Sequence, residues 1–158
     1  MGVENESKRA AAIVRKFVAM DVTAVMAIAQ ESPQASNWSR DSYISLAGED
    51  GSLALVFDTD GEVTGFLIGR RLVDQAEVLN LAVQMKYRGK GQGTALLAAA
   101  LEEFVRWGVK RVYLEVRESN TAAIAFYEHH GFAKTGLRKG YYRDPDEPAI
   151  TMQKELTG

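Results

Sequence analysis

Four sets of residues stand out for the chemistry their types and spacing allow. Arg88-Gly89-Lys90-Gly91-Gln92-Gly93-Thr94 is a glycine-rich loop that follows an apolar strand-like run and opens the helical stretch ALLAAALEEF. Alternate glycines let a backbone approach a ligand closely and turn its N–H groups outward. The following helix start adds unsatisfied donors and a positive dipole end. With the charges of Arg88 and Lys90 beside it, such a loop suits a diphosphate. It is neither a P-loop, since no Gly-Lys-Ser/Thr follows four variable residues, nor GxGxxG, since the third glycine comes one residue early. A plain turn into a helix is the other reading. Glu115 sits mid-strand among apolar neighbours, where a carboxylate is costly unless it is used or ion-paired. Asn120 and Tyr127 lie nearly two helical turns apart and share a face, about 10 Å from end to end. Asn120 also reads as an N-cap and Tyr127 as a core tyrosine.

These residues need a strand, a loop and two helices to carry them. The 158-residue chain is of single-domain length, 46% hydrophobic and 25% charged. Residues 13–18 alternate like a half-buried strand. Asp21 is placed to cap a helix through about Gln30, with Val22, Val25, Met26 and Ala29 on one face. Trp38–Ala47 reads as a second helix. Strands are expected at 53–57, 66–73 and 76–84, the first two joined by the turn DTDGEVTG. The glycine loop at 89–93 opens a helix through about Trp107, stopped by Gly108. A strand at 111–117 sets Val112, Leu114 and Val116 on one face and Tyr113, Glu115 and Arg117 on the other. A helix capped by Ser119 or Asn120 runs to His130, and strands near 133–142 and 149–156 close the chain. The order βααβββαβαββ does not interleave helices strictly enough for a doubly wound sheet. It fits an α/β domain with a central mixed sheet and helices on both faces. Residues 1–158 form one domain on this reading, with 1–11 flexible.

Composition removes several classes of function. No cysteine means no disulfide scaffold, no thiolate metal site and no cysteine nucleophile. The two histidines, His129 and His130, are adjacent and read as helix-end residues; no metal is expected. The net charge of −2 argues against a nucleic-acid binder. The charge is uneven: residues 86–143 carry 11 Lys/Arg against 5 Asp/Glu, while residues 1–85 carry 7 against 12. The middle-to-late part thus carries the positive field, either as solvated surface Lys and Arg or as counter-charge, at 86–90, for an anionic ligand. No apolar run approaches a membrane span, and MGVENESKRA lacks the apolar core of a signal peptide. A cytoplasmic location is expected.

The set resembles the GNAT superfamily of acetyl-CoA-dependent N-acetyltransferases, whose signature Q/R-x-x-G-x-G/A is matched by Arg88 to Gly93. The stretches LEVRESNTAAIAFYEHHGF (114–132) and GYYRDPDEPAITM (140–152), together with Trp38-Ser39, are similar to the RimI type, the ribosomal-protein-alanine N-acetyltransferases. The similarity is dense over about residues 76–153. It implies the GNAT fold: about seven twisted, mostly antiparallel strands that splay into a V between the fourth and fifth. It implies acetyl-CoA as co-substrate, with the backbone of Arg88, Gly89, Lys90, Gly91, Gln92, Gly93 and Thr94 on the diphosphate. Leu81, Ala82 and Val83 would then pair with the pantetheine arm, and Asn120 and Tyr127 would lie near its reactive end. It further implies Glu115 as general base, Tyr127 as general acid, and Trp38, Tyr141 and Tyr142 on the acceptor side.

The residues are consistent with direct transfer, because a chain without cysteine cannot form a cysteine acyl-enzyme. An α-amine, with a reference pKa of about 7.7–8.0, needs less help from a base than a lysine at about 10.4. The expected acceptor is therefore a protein N-terminus, by resemblance that of a small-subunit ribosomal protein beginning with Ala. Asp144, Asp146 and Glu147 beside the two tyrosines would attract a basic peptide. A small-molecule amine (polyamine, amino acid or antibiotic) and a non-catalytic acetyl-CoA-binding module stand as alternatives. No nucleic acid or membrane partner is expected, and the chain is expected to be a monomer or weak dimer.

Overall fold

The structure is a computed structural model that describes residues 11–32, 35, 38–142 and 146–156. Seven strands form one sheet: β1 Ala12–Lys16, β2 Ser52–Thr59, β3 Glu62–Leu72, β4 Gln75–Val83, β5 Arg111–Arg117, β6 Ala133–Tyr142 and β7 Glu147–Glu155. Their spatial order is β1-β2-β3-β4-β5-β7-β6. Every pairing is antiparallel except β4 with β5. Four helices complete the domain: α1 Val22–Glu31, α2 Arg40–Ala47, α3 Gln92–Arg106 and α4 Thr121–His129. Among the described residues, no helix is long and apolar enough to cross a membrane.

The helices divide between the two faces, as the sequence pattern predicts. On one face, Leu96, Leu97, Ala100 and Phe104 of α3 and Ile124 and Tyr127 of α4 join Leu67, Val78, Val112, Leu114 and Met152. On the other, Val22, Val25, Ile28 and Ala29 of α1 and Tyr43 of α2 meet Val56, Phe66, Ile68 and Ala82. Burial centres the α1 stripe on Ile28, with Met26 at its margin. Asp21 stands at the N-cap of α1 without a side-chain cap hydrogen bond. Its carboxylate accepts two bonds from Arg15 (2.9 and 3.0 Å) and one from the Val18 N–H at 2.8 Å. A charged partner outcompetes the helix donors for a carboxylate, because charge-assisted bonds are the stronger ones.

The feature that shapes the molecule lies in β4. Against β3, Ile68 pairs with Asn80 and Gly69 with Val78, so Leu79 is an extra residue. This β-bulge reverses the facing of the strand. Before it, Ala76 and Val78 belong to the α3/α4 core; after it, Leu81 packs there and Ala82 joins the α1/α2 core. Against β5, β4 pairs only from Gln75 to Glu77, opposite Arg111 to Tyr113. Beyond that point the strands part, and the V expected between the fourth and fifth strands opens.

Gly69 stands opposite the bulge. A Cβ there would lie 2.8 Å from the Glu77 carbonyl oxygen and 3.0 Å from the Phe104 ring. Neither neighbour yields easily, one being backbone and the other a fully buried ring. Gly69→Ala is therefore expected to destabilise the domain by about 1–3 kcal/mol, the usual cost of overpacking. Urea unfolding of the two proteins checks this; an unchanged midpoint would show that the bulge has slack.

Candidate functional site

The parted strands leave a cavity of about 350 Å³. Val78 to Val83 form one wall, Leu114 to Arg117 the other, and Asn120, Phe126 and Tyr127 of α4 the roof; Arg88, Gly93 and Tyr142 also line it. Along β4 this wall is strand edge. Leu81, Ala82 and Val83 pair with Leu67, Phe66 and Gly65 on one side and have no strand partner on the β5 side. Backbone N–H and C=O groups left unpaired call for a partner, which an extended amide-bearing ligand can supply.

The glycine loop borders this cavity. Gly89 and Gly91 have φ of +77° and +86°, and no atom lies within 4 Å of a Cβ built on either. They are glycine for the left-handed backbone rather than for crowding, and among the described residues no side chain crowds them. Gly91 is the N-cap of α3 and has no side chain to cap it, which leaves the first N–H groups of the helix for a ligand. Gln92 turns the other way: its buried Oε1 accepts from the Thr64 hydroxyl at 2.8 Å, so only its backbone faces the loop. Thr94 Oγ1 lies 3.1 Å from His130 Nε2, and Lys90 is exposed.

Arg88 behaves differently from a freely placed charge. Its Nε donates to the Val83 carbonyl (3.0 Å) and its Nη2 to the Ser32 hydroxyl (2.6 Å). The Met85 N–H donates to Glu31 Oε1 at 2.7 Å. The loop is thus stapled to the end of β4 and to the end of α1. No pattern within 86–94 signals the tie to α1, because Glu31 and Ser32 lie more than fifty residues away in the chain.

Glu115 and Tyr127 approach the cavity from different directions. The alternation of β5 sets Glu115 opposite Leu114 and Val116, while Tyr127 packs with Leu114 and Val116. Both nonetheless line the one cavity, because the sheet is split at that point. Glu115 Oε1 accepts from Arg138 Nη1 at 3.0 Å, and among the described residues its buried Oε2 has no hydrogen-bond partner. Tyr127 is 8% exposed. Burial, with a smaller contribution from Tyr142, raises its phenol well above the ordinary tyrosine value, so it is protonated at neutral pH. Asn120 is the N-cap of α4, its Oδ1 accepting from the Ala123 N–H at 3.1 Å. Its amide N–H groups are the donors left over.

The residues expected on the acceptor side are dispersed. Tyr142 lines the cavity, and its hydroxyl donates to the Glu115 carbonyl oxygen at 3.3 Å. Tyr141 is exposed and touches the Tyr142 ring edge-on at 4.9 Å. Trp38 lies outside the cavity lining, 5.2 Å from the Tyr43 ring. Glu147 is committed within the protein: it takes Arg117 at 3.0 Å and both the N–H and the hydroxyl of Ser119. Arg117 and then Ser119 hold its carboxyl below the usual range. Asp146 is exposed, and Asp144 lies outside the described residues. Among the described residues, no group of three or more His, Cys, Asp or Glu gathers as a metal site.

Two residues absent from the sequence reading belong here. Asn80, just past the bulge, is buried and lines the cavity; it is hydrogen-bonded to Tyr43 of α2. Arg138 reaches Glu115 from β6. The only signal for Asn80 was a polar residue within the apolar run 78–83 of β4; for Arg138 there was none.

A model of the acetyltransferase (GNAT) family matches residues 22–132. The [ribosomal protein bS18]-alanine N-acetyltransferase of Escherichia coli K12 is 37% identical over 125 residues, 78% of this chain and 84% of that protein. The crystal structure of the ribosomal-protein-S18-alanine N-acetyltransferase from Escherichia coli superposes with a TM-score of 0.82 at 32% identity. That match covers 94% of this chain and 97% of the other. Ard1 from Thermoplasma volcanium superposes with a TM-score of 0.86 at 31% identity, covering 94% and 99%.

The two cavity tyrosines supply a test of the site's polarity. Tyr142 is pushed up to about 12, chiefly by burial, and Tyr127 is also raised. Titration followed at 295 nm between about pH 8 and 11, where an ordinary tyrosine ionises, is expected to look the same in Tyr127→Phe as in the parent. Loss of one tyrosine's amplitude would show that the phenol is in water.

Proposed function

The chain belongs to the acetyltransferase (GNAT) family and is a RimI-like N-acetyltransferase; from that premise we propose that it acetylates the N-terminal α-amino group of a protein. The observation that carries this reading is the split sheet, which admits a thioester and an amine to one cavity from opposite sides. Similarity to the bS18-alanine enzyme supports a ribosomal protein with an N-terminal alanine as the acceptor.

Acetyl-CoA supplies an acetyl group on a thioester, with the thiolate as leaving group. The open loop from Arg88 to Thr94 holds its diphosphate on backbone N–H groups and the α3 N-terminus. The strand edge at Leu81 to Val83, apart from the Val83 carbonyl that Arg88 occupies, is offered to the pantetheine amides, and the Asn120 amide donates near the reactive end. Arg88 contributes by stapling the loop and by its charge.

Glu115 then takes a proton from the acceptor's ammonium, directly or through water, and leaves a neutral amine to attack the carbonyl. Tyr127, protonated at neutral pH, gives its proton to the departing sulfur. The acceptor loses two protons in becoming an amide: Glu115 passes the first to solvent, and the second replaces the one that Tyr127 gave to sulfur. Tyr141 and Tyr142 on β6 flank the acceptor's entry, with Trp38 shaping that side from behind Tyr43. The exposed β6 strand leaves room for a polypeptide beyond the first residue.

The test is acetylation of a peptide beginning Ala-Arg, read by mass spectrometry beside the same peptide with a blocked N-terminus, a lysine peptide and spermidine. Acetylation confined to the free N-terminus is expected; preference for spermidine or the lysine side chain would sink the acceptor assignment. Glu115→Gln and Tyr127→Phe are expected to lower kcat by about 10²–10⁴-fold, the usual range for a general acid or base, with acetyl-CoA affinity little changed. Wild-type turnover in both would remove them from the chemistry. Gly91→Val is expected to do the reverse, weakening acetyl-CoA binding by about tenfold or more through backbone strain at positive φ. Calorimetric titration with acetyl-CoA measures it.

A further inference from the structure

Strand β6 holds Glu115 at two points. Arg138 Nη1 donates to Oε1 of its carboxylate at 3.0 Å, and the Tyr142 hydroxyl donates to its main-chain oxygen at 3.3 Å. An irregularity in the β6–β7 ladder makes this possible. Arg138 stands opposite Ala149 and Tyr142 opposite Glu147, so three β6 residues lie between these pairs where β7 has one. The surplus bends β6 and re-aims its side chains, as bulged strands do.

Arg138 is 61% exposed, yet it is steadied: its guanidinium lies 4.4 Å from the centre of the Tyr141 ring. It also meets the carboxylate at one oxygen only. A guanidinium that blocked Glu115 would take both oxygens in the bidentate arrangement that Arg and carboxylate favour. Here Oε2 is left buried and, among the described residues, without a hydrogen-bond partner. A buried acceptor without a donor is costly in a resting protein, and it is the atom a base needs free for the incoming N–H.

We infer that Arg138 is a positioning residue for Glu115: it ties down Oε1 so that Oε2 faces the acceptor's nitrogen. The inference rests on Glu115 being the base, and it goes further by assigning the two carboxylate oxygens separate tasks. It also gives the last hairpin a part in the chemistry. Without Arg138 the carboxylate turns about its terminal torsion, and the productive orientation is one of several.

A double-mutant cycle with the Ala-Arg peptide tests this, using the full chain as parent, Arg138→Met, Arg138→Lys, Glu115→Gln and the Glu115→Gln/Arg138→Met pair. Arg138→Met is expected to lower kcat by about tenfold with KM for acetyl-CoA unchanged, and Arg138→Lys to recover part of the loss. In the Glu115→Gln background the same change should cost less than about twofold, because residues that act through one another are not additive. An equal tenfold loss in both backgrounds would overturn the inference by showing that Arg138 acts on its own. So would a kcat for Arg138→Met equal to the parent's beside a slow Glu115→Gln, which leaves the base assignment standing. A Glu115→Gln enzyme as fast as the parent removes the base itself. Melting temperatures accompany the kinetics; should Arg138→Met melt lower than the parent, Arg138→Gln, which keeps a hydrogen-bond donor and a similar stem, carries the same comparison.

Discussion

A sheet that stops pairing partway along its two central strands is the constraint on which the rest of this molecule depends. Backbone N–H and C=O groups are obligatory hydrogen-bonding groups, and leaving a row of them unpaired in the middle of a sheet is costly. The fold does so after Glu77 and Tyr113. The extra residue at Leu79 bends β4 away, and Gly69 gives the bulge room on the β3 side. The opened edge is then both a binding surface and a passage. Through it, a carboxylate on one face of β5 and a phenol packed against the other face reach the same cavity. In a continuous sheet, Glu115 and Tyr127 would be separated by the sheet's own thickness.

The elements around the passage divide the work between rigid support and open surface. Gln92 and Thr64 pair in the interior and Asn80 is hydrogen-bonded to Tyr43, so these polar side chains buried beside the cavity are satisfied. Arg88 and Glu31 fasten the glycine loop to β4 and α1. The loop's backbone is thereby held while its outer surface stays clear. Preorganisation of this kind spares a ligand the ordering cost it would otherwise meet on binding.

The second half of the site is built from the last hairpin. Arg117 stacks on Tyr142 at 4.4 Å and pairs with Glu147, and Glu147 also takes Ser119 at the entry to α4. These contacts join β5, β6, β7 and the start of α4 beside the cavity. They also match the charge of Glu147 within the chain. An otherwise exposed edge strand, β6, is carried by this cluster and by its pairing with β7.

Much of this was legible in the residues. The element order, the left-handed glycines at the start of α3, the Asn120 cap, the alternation along β5 and the stop at Gly108 are local properties. They follow from φ preference, capping and side-chain period within a few residues, and the resemblance in 88–93 and 114–132 extended them to a family. Other features were not legible. Consecutive apolar Val78 and Leu79 read equally well as unbroken strand or as bulge. Nothing near Arg88 points to Ser32, nothing near Arg138 points to Glu115, and the pull of Arg15 on Asp21 overrode a reasonable cap. The ties of Arg88 to Ser32 and of Arg138 to Glu115 join segments far apart in the chain, and the bulge and the Arg15–Asp21 pair, though local, depend on the register in which strands become neighbours. The sequence alone determined which groups the site would contain; the tertiary structure decided which of their atoms are tied and which are left free, because only packing brings the competing partners within reach.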